Sequence, residues 1–522
     1  MKKIILSAFA ASAFFAVQSC NNDFDNDVTS IAVTSGDANF SKYVAIGNSL
    51  TAGFRDNALY IDGQNESYPS MLAQQMKLAG GGEFKQPLMN DNLGGIAAVG
   101  FANKLALSVV NGALTPIPAA GTSATTLANI YSAGPYNNMG VPGAKSFHLV
   151  APGYGNAANL AVGAANPYFV RFASSATTSV LADAMAQKPT FFSLWVGNND
   201  VLSYATNGGT NSVSVNNVTT YVPAVYQKGN TDPKTYKGND ISDPNVVAGS
   251  IKAILDGMKS VGATKGVIAN IPDVTTIPFF NRIPYNTIAL TAEKATALNT
   301  SLYGPLIKML TVTGDAARIS PAIAGNNPVL IVDNKLADRS AVLTAGFTQA
   351  GFPAAQAAYL GKVFGQVRQA KAGELILLKA SSVLGLDAET NAAPTATTRF
   401  IYGASFPIGD QLSLTSDELA NLSAATTAYN TSISSLASTY GLALVNANGK
   451  MGELSGNSGI QYNGVRYTAT FVTGGAFSLD GVHLTGRGYA VIANEFIKAI
   501  NAKYHSNLPL VNQNKYSGVT FP

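Results

Sequence analysis

The chain has 522 residues, 47% hydrophobic and 12% charged, with a net charge of +4 and one cysteine. That is apolar material for one large elaborated domain or two, held by a hydrophobic core without disulfides or cysteine metal sites. Near-neutral charge with no basic cluster argues against nucleic-acid binding.

At the N-terminus, Lys2 and Lys3 precede an apolar run from Ile4 to Val17, and small and polar residues then lead to Cys20. Charge, length and order are those of a secretory signal over residues 1–19, too short to span a membrane. Its removal takes two lysines and leaves about +2. The segment VQSC resembles the lipobox of bacterial lipoproteins, whose cysteine is lipidated and becomes the mature N-terminus. That resemblance makes Cys20 a lipidation site and residues 20–40 a flexible tether. The polar run with Asp23, Asp25 and Asp27 resembles the acidic signal that sends some Bacteroidetes lipoproteins to the outer face of the outer membrane. Export and a lipid anchor on the outer membrane, facing the cell exterior, are what these resemblances imply. No later apolar run approaches the ~20 residues of a membrane span, so the lipid is the one membrane attachment expected.

From residue 41 the chain alternates strand-like and helix-like segments. KYVAIG (42–47) reads as a buried strand, and SYPSMLAQQMKLAG (67–80) as a Ser/Pro-started helix closed by glycine. TFFSLWVG (190–197) is a second buried strand. An amphipathic helix over 243–262 is followed by the strand KGVIANI (265–271). A long helix with a capping-box start (415–441) leads to the strand LALVNA (442–447), and a helix over 485–504 closes the domain. Short apolar strands alternating with helices predict an α/β fold with a parallel sheet covered on both faces. Two stretches break the rhythm. Residues 203–242 are rich in Asn, Thr, Gly and Ser and read as a polar loop or small hairpin. Residues 283–412 hold several helical segments and read as an insertion, expected to form an apolar cap over the mouth of the site.

The chemistry-bearing residues sit at strand ends and loops. Ser49 follows Gly47 and Asn48 at the tip of the first strand, where the ligands of parallel sheets bind. A nucleophilic serine needs a base, a group that orients the base, and donors for an oxyanion. Of the three histidines, His148 and His505 have Lys145 and Ala502 three residues upstream, whereas His483 has Asp480. That spacing lets one turn present imidazole and carboxylate together. Gly143 lies in a Pro-Gly turn whose backbone N–H can approach a ligand, and Asn199 ends the strand TFFSLWVG in GNND. Singly, each stretch also reads as an ordinary turn.

Taken in order, GNSL, GVPG, GNND and DGVH resemble the four blocks of the GDSL-type SGNH hydrolases, esterases and lipases of flavodoxin-like three-layer architecture. The resemblance runs from about residue 42 to 504, insertions aside, and makes residues 41–522 the hydrolase domain. It implies Ser49 as nucleophile, His483 as base and Asp480 as triad acid, with the Ser49 N–H, Gly143 and Asn199 as oxyanion donors. Asn48 stands where the family name has Asp; it keeps the size and one acceptor. The implied activity is hydrolysis of acyl esters through an acyl-enzyme. Substrates are lipids or acylated glycans, without cofactor or metal. Two alternatives stand beside it: a carbohydrate O-acetyl esterase of the same fold, told apart by a polar, aromatic-lined cleft in place of an apolar tunnel, and a non-catalytic surface-binding lipoprotein. The G-x-S-x-G elbow of other α/β hydrolases is absent from the sequence.

Overall fold

A computed structural model describes residues 32–110, 112–216 and 218–522. The expected signal segment, Cys20 and the tether up to residue 31 lie outside them. Five parallel strands form the central sheet: β1 (Tyr43–Gly47), β2 (Asn138–Gly140), β3 (Phe191–Trp195), β4 (Gly266–Ala269) and β5 (Ala443–Val445). Their spatial order is β5-β4-β3-β1-β2, so the chain starts in the sheet, steps to one edge and then crosses to build the other side. Register runs Gly47 beside Gly140 on one flank and beside Trp195 on the other.

The alternation of β1 explains the layers. Val44 and Ile46 face a cluster with Phe192, Leu194 and Ile268, covered by helices α2 (Pro244–Ser260) and α3 (Ser416–Thr439). Tyr43 and Ala45 face the other way, onto α1 (Tyr68–Lys77) and α4 (Gly486–Tyr504), which also pack on each other. Both faces of the sheet are therefore apolar, and the architecture is an α/β three-layer sandwich around a parallel sheet. Burying each large side chain fully contributes ~1.5–3 kcal/mol, so a register slip in β1 would misplace two cores at once. The helix starts follow the expected chemistry: Ser67 caps α1, and Thr415 with Glu418 forms the capping box of α3.

The folded body begins earlier than residue 41. Phe40 is buried against Phe191, Asp37 N donates to Tyr504 O at 2.7 Å, and Thr34 N donates to Asn507 Oδ1 at 2.6 Å. Residues 32–40, expected within the tether, are thus tied to α4 and the segment after it.

The polar stretch 203–242 contains an antiparallel hairpin, Thr210–Val215 with Val218–Pro223. Asp240 pins its base by accepting from Asn211 Nδ2, Val225 N and Gln227 Nε2. Residues 283–412 do contain helices, including Gly304–Thr311, Ser340–Gln349 and Ala354–Phe364. Their apolar faces close on one another around Leu306, Leu343, Phe347, Leu360 and Phe364. The stretch around Leu378 reaches the loop that carries His483, lying beside Gly481. The insertion thus has a hydrophobic core of its own.

Candidate active site

Strand β1 stops at Gly47 because the chain must turn under its neighbours. A Cβ at Gly47 would lie 2.1 Å from Thr51 Oγ1 and 2.5 Å from Trp195 O. One helical turn, Ser49–Ala52, follows at once, and Asn48 caps it by accepting from Leu50 N at 3.1 Å. The asparagine at this position keeps the turn through that one oxygen. Its Nδ2, fully buried, has no hydrogen-bond partner among the described residues.

Ser49 Oγ lies 2.9 Å from His483 Nε2, and His483 Nδ1 lies 2.8 Å from Asp480 Oδ2. The serine comes from the end of β1, while the other two come from the loop ahead of α4, whose cap Thr485 accepts from Gly488 N. Asp480 is the best-supported group in the site. It accepts from the backbone N–H groups of Val482 and His483, from Ser478 Oγ and from Asn57 N, besides the imidazole. Burial alone would raise its pKa. The charge and hydrogen bond of His483 and those two backbone donors outweigh burial and hold the carboxyl well below the usual range.

Asn57 reaches Asp480 through a tight turn. Asp56 and Asn57 both have positive φ (52° and 62°), and Arg55 and Ala58 exchange two backbone hydrogen bonds across them. Asp and Asn tolerate that conformation better than other side chains. Asp56 also accepts from Leu479 N at 3.0 Å, so the turn clamps the acid loop from both sides. The ring of Phe54 packs on the imidazole, with centroids 4.7 Å apart, and limits its motion.

Gly143 and Asn199 lie in two turns that are bonded to each other, and the first is joined to the end of β1 by Val141 N donating to Gly47 O at 3.0 Å. Gly143 has φ +81°, and a Cβ there would touch nothing closer than 3.9 Å; backbone conformation, not space, requires glycine. Asn166 Nδ2 holds this turn by donating to Pro142 O at 2.8 Å. Asn199 Nδ2 donates to Ala144 O at 2.9 Å, which spends one amide N–H and leaves the other for a ligand. The backbone N–H groups of Ser49 and Gly143 have no acceptor among the described residues.

Beneath this loop lies a buried polar layer. Asp200 is fully buried and accepts from Ser146 N at 2.8 Å and Ser146 Oγ at 3.0 Å. Burial raises its pKa, opposed by the charge of Lys145. Lys145, itself lowered by burial, donates to Asp240 O at 2.6 Å. His148 is structural: it stacks on Tyr154, its Nδ1 accepts from Lys145 N, and burial with the Lys145 charge lowers its pKa to about 4. His505 pairs with Asp37 on the surface.

No family model, curated protein or solved structure matches this chain. The site stands on its own geometry.

Of the six residues singled out in the sequence, Ser49, His483 and Asp480 are joined by hydrogen bonds, Asn199 is bonded to the turn that holds Gly143, and Cys20 lies outside the described residues. Sequence reasoning overlooked Phe54, Asn166, Asp200, Ser478 and the Asp56–Asn57 turn. Two of these carried a signal: Asp-Asn is a turn pair, and Asp200 directly follows Asn199.

Among the described residues no group of His, Cys, Asp or Glu is arranged to hold a metal, and no helix is long and apolar enough to cross a membrane.

Proposed function

We propose that this protein is a serine-dependent carboxylic ester hydrolase of the SGNH type, exported and anchored through lipid on Cys20. The observation that carries the reading is the continuous hydrogen-bonded line Ser49–His483–Asp480, with spacings of 2.9 and 2.8 Å. A serine at the carboxyl end of a parallel sheet, a base within reach and an anionic orienter satisfy the stated needs of nucleophilic catalysis.

In this reading Ser49 Oγ attacks the acyl carbonyl while its proton passes to His483 Nε2. Asp480 holds the imidazole by Nδ1 and stabilises the imidazolium that forms. The oxyanion accepts from Ser49 N, Gly143 N and the free N–H of Asn199 Nδ2. Collapse expels the alcohol, which takes the proton from Nε2. Water, deprotonated by His483, then attacks the acyl-enzyme and releases the acid. A non-catalytic binder has no need of five donors on one carboxylate, which supports the enzyme reading over that alternative.

A fluorophosphonate probe tests the nucleophile. The wild type is expected to label at Ser49 and the folded Ser49→Ala variant to stay unlabelled. Labelling that persists in the variant puts the nucleophile elsewhere.

A further inference from the structure

The candidate active site occupies the carboxyl ends of β2, β1 and β3. On the same edge of the sheet, over the ends of β4 and β5, lies a second feature, a cleft of about 890 Å³. Its walls are the segment after β4 (Asp273 to Arg282), the first turns of α3, and the end of the helix Ala447–Ser455 that follows β5, with the hairpin beyond it. Crevices of this kind beyond strand ends are where open α/β sheets bind ligands. Cleft and site share a wall. Pro278 lines the cleft, while the next residue, Phe279, donates through its N–H to Gly481 O at 3.0 Å, between Asp480 and His483.

The lining is mixed, and its polar side does not suit an acyl chain. Thr276, Ser423 and Thr470 line one side together with two arginines, Arg282 and Arg466, and Leu375, Leu419 and Leu454 line another. Arg466 is held in place by the carbonyls of Asn457 and Ser458. Neither arginine forms a salt bridge among the described residues. The single carboxylate of the lining, Asp273, is already engaged by Thr275 N and Oγ1. Methylene groups placed against the polar side would strip water from these groups and return no hydrogen bond, whereas a sugar ring has both polar edges and apolar faces to offer. One aromatic ring, Phe471, lies on the wall, next to Val472 with φ +66°. A β-branched residue in that conformation is strained, and such strain marks positions whose surroundings dictate them.

We propose that this cleft binds an oligosaccharide chain, acidic sugars in preference to neutral ones, and that this chain is the alcohol side of the ester cleaved at Ser49. The last clause rests on the esterase reading; the binding itself does not. Sugar hydroxyls match the donors and acceptors of the wall, a pyranose face matches Phe471, and a uronate carboxylate matches the two guanidiniums.

The test uses the full chain with Ser49→Ala, incubated on an array of neutral and uronate-containing oligosaccharides. Binding with a preference for the acidic set is expected, and it weakens by about tenfold with Arg282→Ala, the usual loss for a charged hydrogen bond. Phe471→Ala and a cleft-filling Ser423→Trp serve as second and third variants, each checked for an unchanged melting temperature. No binding to any saccharide, binding indifferent to all three substitutions, or a response to fatty-acyl probes alone overturns the proposal. Failure of the wild type to take the fluorophosphonate label would sink the Ser49 reading and leave the saccharide result standing.

Discussion

Asn199 and Ala144 are hydrogen-bonded to each other, Nδ2 to carbonyl oxygen at 2.9 Å, so the turn after β3 and the loop after β2 form one unit, joined to the end of β1 by Val141 N donating to Gly47 O. In the proposed mechanism the second N–H of that amide donates to the oxyanion. Asn199→Ala is expected to lower kcat by about a hundredfold to a thousandfold, the usual loss for one oxyanion donor, with little change in KM. A change confined to KM makes Asn199 a binding residue instead.

Asp200 supports that unit from beneath. Its replacement by Ala leaves the N–H and the hydroxyl of Ser146 without their acceptor. Leaving a buried donor unsatisfied costs about 1–3 kcal/mol, and the expected result is a fall in the urea midpoint together with reduced activity. A variant as stable as the parent would show that the layer contributes no stability.

For Asp480 the depressed pKa fixes the sign. A carboxyl lowered in the folded state contributes stability that is complete above its ordinary value and is lost as pH falls through the folded one. Between pH 5 and 8 the group is therefore ionised throughout. Asp480→Asn keeps the shape but removes the charge and can favour the wrong imidazole tautomer. A fall in kcat of about four orders of magnitude is expected; a loss below about tenfold would leave His483 without need of its partner.

The opposite sign applies to Asp410. Burial, reinforced by Glu418, raises its pKa to about 7, and Asn334 donates to it at 2.5 Å. A carboxyl raised in the folded state favours folding below its ordinary value, and that advantage drains away as pH rises toward 7. The loss is up to about 1.4 kcal/mol per pH unit. Asp410→Asn is expected to raise the melting temperature at pH 8 and leave it nearly unchanged at pH 4. Equal effects at both pH values would remove the charge from the explanation.

The proposed anchor is checked by fractionation. Cys20→Ala is expected to move the protein from the membrane to the soluble fraction while a small chromogenic ester is still hydrolysed by the released protein. Retention on membranes after a high-salt wash would rule out lipid on Cys20 as the attachment.

Periodicity made the sandwich readable. Segments such as TFFSLWVG and the amphipathic stretch before KGVIANI are long enough for local pattern and capping to speak, and helices α1 to α4 begin within a residue or two of where Ser, Asp or Thr caps place them. Strand β2 escaped, because Asn138, Met139 and Gly140 have no strand signature of their own. They are extended only through pairing with Ala45, Ile46 and Gly47. Candidate residues Ser49, Gly143, Asn199, Asp480 and His483 were legible since each chemistry requires a particular side chain at a turn. Their convergence was not, for hydrogen bonds between residues 434 positions apart leave no local trace. The insertion makes the same point from the other side. Sequence showed that the helices of 283–412 carry apolar faces, and only the tertiary structure decided that those faces close on one another. Hydrophobic attraction is non-directional, so an apolar face specifies that it will be buried and never by what.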